Sequence, residues 1–153
     1  MAKKTETWSP ADERRALKQF LTRYYKAKKQ QAILQARLAQ LRNDLFLDDE
    51  RGIDEIEAMI KKQVERERDI VLEIIGLLDL LPPDSVERTI LELRHIDCKD
   101  WIDIQQVVHL SKTPCYDYYN RGLDLLMEDA EVHSLLKKHR AKSGAQGRRK
   151  RTT

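Results

Sequence analysis

Residues 101–126 read WIDIQQVVHLSKTPCYDYYNRGLDLL, and the fold turns on how this stretch divides. Trp101, Ile104 and Val108 recur at three- and four-residue steps with Val107 beside them, which is the spacing of one helical face. His109-Leu110 interrupts that face. Ser111 then stands where an N-cap belongs, its oxygen suited to the free amides of a new first turn. Cys115, Tyr118, Leu123 and Leu126 give a second helix its inward side. Pro114 falls in the first turn of that helix, where a missing N–H costs no helical hydrogen bond. The spacing predicts two short helices with a tight turn between them.

Toward the N-terminus, Pro82-Pro83 stops any preceding helix, since neither residue donates a backbone hydrogen bond. Asp84 and Ser85 offer caps for a new helix, SVERTILELRHID, with Val86, Ile90, Leu91, Leu93 and Ile96 as its apolar side. Three short helices with a tight turn between the last two have the shape of a DNA-reading helix-turn-helix, although ordinary helix pairs share that spacing. A domain boundary is placed at Leu81–Asp84.

Before that boundary the pattern changes to heptads. Ser9-Pro10, followed by Asp12 and Glu13, is a helix start in which cap, ring and acids all suit the first turn. Leu17, Phe20, Tyr24, Ala27, Leu34, Leu38, Leu41 and Leu45 then alternate steps of three and four, with Gln31 in the vacant seam position. The polar segment Leu47–Gly52 (LDDERG) reads as a turn. A second seam follows at Ile53, Ile56, Ile60, Gln63, Glu67, Ile70, Ile74, Leu77 and Leu81. Two such helices fold back as an antiparallel hairpin. Pairing Leu45 with Ile53 sets Leu38 opposite Ile60, Leu34 opposite Val64, Ala27 opposite Val71, Tyr24 opposite Ile74 and Gln31 opposite Glu67. The two polar seam layers then meet, and a buried polar pair can fix register at some cost in stability. An apolar edge of Leu21, Tyr25, Ile75 and Leu78 is left to dock the C-terminal module or a second copy of the chain.

From about Leu81 to Leu126 the chain resembles the −35-reading region 4 of sigma-70-type factors, through Leu81-Pro82, Arg88, Ile90, Leu93-Arg94, Asp103-Ile104, Leu110-Ser111, Gly122-Leu123 and Leu126. The whole chain is similar in layout to phage proteins of the ArpU type, thought to control late transcription. The motif of that group appears here as ILELRHIDCKDWIDIQQVVHLSKTPCYDYYNRGLDLL. The resemblance implies a recognition helix that starts at Ser111 and enters the major groove of double-stranded DNA. By the family's pattern Cys115 and Tyr118 face inward, while Lys112, Thr113, Tyr116, Asp117 and Asn120 face outward, with Arg121 beside them. Lys112 then suits phosphate or guanine, Asn120 adenine, and Tyr116 phosphate or a thymine methyl. Ser111 caps the helix and aims its amides at phosphate. The alternative is that Tyr116 and Tyr119 only shield the core. The family has a small residue where His109 stands, and another where Gln105 stands. If His109 must adopt a left-handed backbone, it costs on the order of 1 kcal/mol.

Charge is distributed unevenly around a net of +3. Residues 1–30 carry nine Lys/Arg against three acids and 128–153 carry eight against three, whereas 84–127 carry five against eight, a net of −3. Basic ends suggest a polyanion partner. The first helix (Arg14, Arg15, Lys18, Arg23, Lys26, Lys28, Lys29) is one candidate surface. The tail RAKSGAQGRRKRTT reads as disordered, with Arg148, Arg149, Lys150 and Arg151 as phosphate contacts; a solubilising tail is the alternative.

Other classes fare poorly. No apolar run nears the roughly 20 residues of a membrane span, and the opening MAKKTETW has no signal core, so a cytoplasmic protein is expected. Two cysteines suit a reduced compartment. No phosphate loop or nucleophile–base pair suggests an enzyme. His95, Cys98, His109 and Cys115 match no zinc spacing, so neither metal nor cofactor is expected. The resulting expectation is an all-α protein: a flexible 1–9, a long antiparallel coiled-coil hairpin over 10–81, a sigma region 4-like helix-turn-helix over 84–127, and a short helix with a basic tail over 128–153. Its expected function is sequence-specific regulation of phage or prophage late transcription, with a possible homodimer through the hairpin. The alternatives are a DNA-packaging adaptor like a terminase small subunit, or a module that binds RNA polymerase without touching DNA.

Overall fold

The computed structural model describes residues 9–44 and 50–151, with side chains placed for 9–44 and 52–140. The chain is all-helical, with no strand among the described residues. Helix α1 (Pro10–Leu21) starts as its chemistry dictates: Ser9 Oγ accepts from the Asp12 N–H at 3.2 Å, Pro10 opens the helix, and Asp12 and Glu13 fill its first turn. It ends at Thr22, where the sequence predicted no break. Thr22 Oγ1 donates to the Lys18 carbonyl at 2.6 Å, and Arg23 Nε donates to the Phe20 carbonyl at 3.0 Å. Such back-bonding competes with the helical ladder and bends it. The first seam therefore lies on two helices, and α2 (Arg23–Asp44) continues after the bend.

Helix α3 (Glu50–Leu78) returns alongside α2. Gly52 lies in its first turn rather than closing the preceding loop, whereas the expected Leu45–Ile53 pairing and residues 47–49 fall outside the described residues. The two helices run antiparallel, since Arg23 meets Glu73 at 3.4 Å near one end and Arg42 meets Glu57 near the other. Between these ion pairs sits a polar layer. Gln63 Nε2 donates to the Ala27 carbonyl at 2.9 Å, and the Gln31 amide, assigned with its nitrogen toward Glu67, donates to that carboxylate, at 2.8 Å to Oε1. Gln63 and Glu67 are both buried. Leu34 is buried as well, but Val64, its expected partner, is 46% exposed; Gln63 takes the inner position there.

Leu81 and the two prolines turn the chain into α4 (Val86–His95), which Ser85 caps by accepting from the Arg88 N–H at 3.2 Å. Arg88 reaches back to Asp79 at 2.6 Å and fixes the corner. Then follow α5 (Trp101–Val108), α6 (Lys112–Met127) and α7 (Ala130–Arg151). Asp129 starts α7 by accepting from the Glu131 N–H at 2.8 Å. The α7 backbone stays helical to Arg151, where composition predicted a tail without structure. Ala, Lys, Gln and Arg are good helix formers, and no proline interrupts them. The side chains of Arg148, Arg149, Lys150 and Arg151 lie outside the described residues.

One apolar cluster joins both sides of the Leu81–Asp84 boundary. Leu17, Phe20 and Leu21 of α1 and Ile74 and Leu78 of α3 pack with Ile90 and Leu91, Ile104, Leu123 and Leu126, and Val132 and Leu136. Each enclosed side chain of this size stabilises by about 1.5–3 kcal/mol. Leu21 and Leu78 of the expected docking edge are inside this cluster, whereas Tyr25 and Ile75 remain exposed.

Candidate nucleic-acid interface

The turn between α5 and α6 is made by a residue in an unusual conformation. His109 has φ 56° and ψ 43°, in the left-handed region, which costs an L-residue about 1–2 kcal/mol. The Leu110 N–H donates to the Gln105 carbonyl at 3.1 Å and closes the end of α5. Ser111 is the N-cap of α6 with an extended backbone, but its hydroxyl makes no cap hydrogen bond; only its carbonyl is used, accepting from the Cys115 N–H at 3.1 Å. The side-chain cap expected from the sequence is thus absent.

The inward side of α6 is Cys115, Tyr119, Gly122, Leu123, Leu126 and Met127. Tyr119 follows Cys115 on this face, continuing the four-residue step that leads to Leu123, and Tyr118, expected inward, is half-buried against the same core. The burial of Tyr119 is made tolerable by a partner 24 positions earlier: Tyr119 Oη and His95 Nε2 are hydrogen-bonded at 2.8 Å. Burial, then Arg94, then Lys18 push His95 down to about 3, so the imidazole stays neutral. Burial pushes the Tyr119 hydroxyl up, against Arg94. Trp101 presses edge-on against Tyr119, ring centres 4.9 Å apart, and lies 4.4 Å from Tyr116, while the Arg94 guanidinium sits 5.1 Å from the Trp101 ring. Tyr116 is therefore half-buried against Trp101, nearer to the core-shielding alternative than to the outward position that the family's pattern implies.

Thr113, Asp117 and Arg121 are exposed on the opposite side of α6, and Lys112 is exposed as the first residue of the helix, three and seven positions ahead of Cys115 and Tyr119 on the packed side. Arg121 lies 3.9 Å from Glu87 and 5.5 Å from the Tyr118 ring. Asn120 is half-buried and faces α1. It lines an open groove of about 480 Å³ with Arg14, Arg15, Lys18 and Lys26. Arg14 is fastened across this groove to Asp124 by two hydrogen bonds, of 2.8 and 2.6 Å. Those bonds raise the guanidinium's pKa above its ordinary value. Lys18 lies 5.6 Å from the centre of the Tyr119 ring.

No family model matches the chain, and no curated protein or solved structure does.

The basic first helix was visible in the sequence as a charged surface. Its position beside α6 was not, because Arg14 and Asp124 are 110 positions apart and nothing local links them. Gln105, where the family has a small residue, is half-buried, and a tight crossing lies at Gly122 against α4. Among the described residues no three His, Cys, Asp or Glu side chains gather as a metal-binding group, and no helix is long and apolar enough to cross a membrane.

Proposed function

We propose that the protein is a sequence-specific DNA-binding regulator of transcription, in which α5, the His109 turn and α6 act as a helix-turn-helix of the sigma region 4 kind. The α2–α3 pair is then a coiled-coil hairpin that braces it and offers a surface for a second copy. The observation that carries this reading is the left-handed His109 turn leading into α6, with one side of α6 packed, Thr113 and Asp117 exposed on the other, and Lys112 exposed at the first residue of the helix. Helices that read the major groove present N-terminal side chains in this way. Lys112 suits guanine or phosphate, and Asn120, at the edge of the groove, suits adenine. Ser111, Tyr116, Asp117 and Arg121 complete the surface in contact with DNA, and the tail cations follow phosphates. The likeness to ArpU-type proteins makes phage or prophage late genes the target.

A second reading has its own support. Ile102 and Val107 on α5 are 68% and 53% exposed, and the surrounding segment 84–127 is acidic, which suits a protein partner such as RNA polymerase. The test is binding to fragmented genomic DNA of the source organism across a salt series, with the intact chain and a Lys112→Ala/Asn120→Ala variant. Enrichment of one promoter-proximal fragment, lost in the variant, is expected. Uniform binding that the variant keeps would reject sequence reading by α6. Absence of binding at low salt would leave the protein-partner reading.

A further inference from the structure

Helix α1 divides its residues cleanly. Leu17, Phe20 and Leu21 are enclosed against the rest of the molecule, which turns Arg15 and Lys18 outward along the flank of α6. Lys26 extends that row at the start of α2, and the backbone carries the row through the Thr22 bend. The Thr22 N–H donates to the Lys18 carbonyl at 2.9 Å and the Lys26 N–H to the Thr22 carbonyl at 3.1 Å. Asn120 of α6 belongs to the opposite wall of the same groove.

The four cations of the groove are not equivalent. Arg14 is committed to Asp124. Arg15 has only a loose 3.4 Å contact with exposed Asp12, and Lys18 and Lys26 have no ion pair among the described residues. Three charges therefore remain to meet an outside anion. The segment 84–127, at −3, cannot attract DNA by its own charge, so a phosphate-binding element must come from elsewhere in the chain. From Arg15 to Lys26 the row covers about 16 Å at ~1.5 Å per residue. One DNA strand offers a phosphate about every 3.4 Å of axis, so three contacts fit along a single strand.

We propose that the groove between α1 and α6 is a sugar–phosphate clamp for duplex DNA. Arg15, Lys18 and Lys26 hold one strand while the N-terminal turns of α6 face the bases, and the Arg14–Asp124 pair fixes the angle between the two helices. The identity of the anion rests on the DNA-binding reading above; the clamp itself rests on the groove.

The experiment measures duplex binding by the full chain against salt concentration, on the enriched fragment and on an unrelated duplex. An Arg15→Gln/Lys18→Gln/Lys26→Gln variant is compared with the unaltered protein and with Lys61→Gln/Lys62→Gln, which removes exposed cations from α3. Glutamine keeps helix propensity, and circular dichroism with thermal melting checks that each variant folds. Lys26→Gln alone serves if the triple variant melts early. The triple variant should lower the slope of log affinity against log salt by about 2.7, at ~0.9 per contact, on both duplexes alike. At 0.1 M salt, relative to 1 M, that is a loss of about 500-fold. Lys26→Gln alone should lower the slope by about 0.9. An unchanged slope, or an equal change in the α3 variant, overturns the clamp. Uniform binding that the triple variant loses, without preference for any fragment, keeps the clamp and rejects base reading by α6. Fragment preference with an unaltered slope in the triple variant does the reverse, and no binding at low salt rejects both.

Discussion

Leu17 and Leu41 belong to the same heptad seam, yet Leu17 is fully enclosed and Leu41 is only half-buried. The same contrast separates Phe20 and Ile74 from Leu38, Ile56 and Ile60. The enclosed residues lie where α1 and the end of α3 meet α4, α6 and α7; the half-buried ones lie where α2 and α3 have only each other. Two helices bury Ala27, Leu34, Gln63 and Glu67 but leave other positions of the seam half-buried, so a heptad pattern specifies which residues face a partner and not how completely they are buried. The polar layer of Gln31, Gln63 and Glu67 sits in this two-helix region, and the Gln31 amide that donates to Glu67 lowers the cost of burying its carboxylate.

The largest expected effect tests this difference directly. Phe20 is enclosed, with its ring edge-on to His139 and under the Arg23 guanidinium. Phe20→Ala should cost about 3–5 kcal/mol, because the surrounding helices cannot collapse into the cavity. Leu34→Ala should cost about 2 kcal/mol, the low end for a buried leucine, because two helices can close on the gap. Chemical denaturation of both variants checks this. Equal losses would mean that the difference in enclosure has no energetic counterpart.

The sequence made the local features readable. Caps at Ser9 and Ser85 and the His109 turn are each decided within a few residues, and the structure places helix ends at all three, whereas α3 ends at Leu78, ahead of the stop read at Pro82-Pro83. What stayed hidden depends on partners far along the chain. The Thr22 bend follows from a hydroxyl choosing the Lys18 carbonyl, which heptad spacing does not register. The partner that makes the burial of Tyr119 tolerable, His95, lies 24 positions earlier. The basic groove exists only because α1 docks along α6, so the candidate site was legible as a list of residues on α6 but not as a surface with two walls.

Acid should move the two regions in opposite directions. His95 has its folded-state value lowered to about 3 from 6.5, so its contribution to stability is complete above 6.5 and is lost as pH falls toward 3. The loss is about 1.4 kcal/mol per pH unit, or about 2 kcal/mol by pH 5. Burial raises Glu67 above the ordinary 4.5, with Lys28 opposing. Its contribution is therefore complete below 4.5 and is lost as pH rises through the folded-state value. On going from pH 7 to pH 5, amides around Tyr119 and Leu123 should lose hydrogen-exchange protection, after correction for intrinsic rates. Amides around Leu34 and Gln63 should hold or gain it. Glu67→Gln should remove the gain in the α2–α3 pair and His95→Gln the loss near α6. A uniform loss in both regions would reject the opposed signs.

The smallest effect concerns how closely the dense region is packed. A Cβ added at Gly122 would lie 2.7 Å from Leu91 Cδ1 and 3.2 Å from Glu87 Cβ, and Leu91 is fully buried, so its side chain has little room to turn away. Replacing a mid-helix glycine with alanine ordinarily gains about 1 kcal/mol through the backbone. Forcing a methyl into a filled crossing costs about 1–3 kcal/mol, so Gly122→Ala should be destabilising by about 1 kcal/mol net. Gly76, on α3, has nothing within 4 Å of the corresponding position, so Gly76→Ala should show the helix gain alone. A pair of denaturation curves decides the matter, since both glycines lie inside helices and differ in what crosses them. If both variants are stabilised alike, α4 and α6 can separate at no cost, and the enclosure of Leu91 and Leu123 is looser than their burial implies.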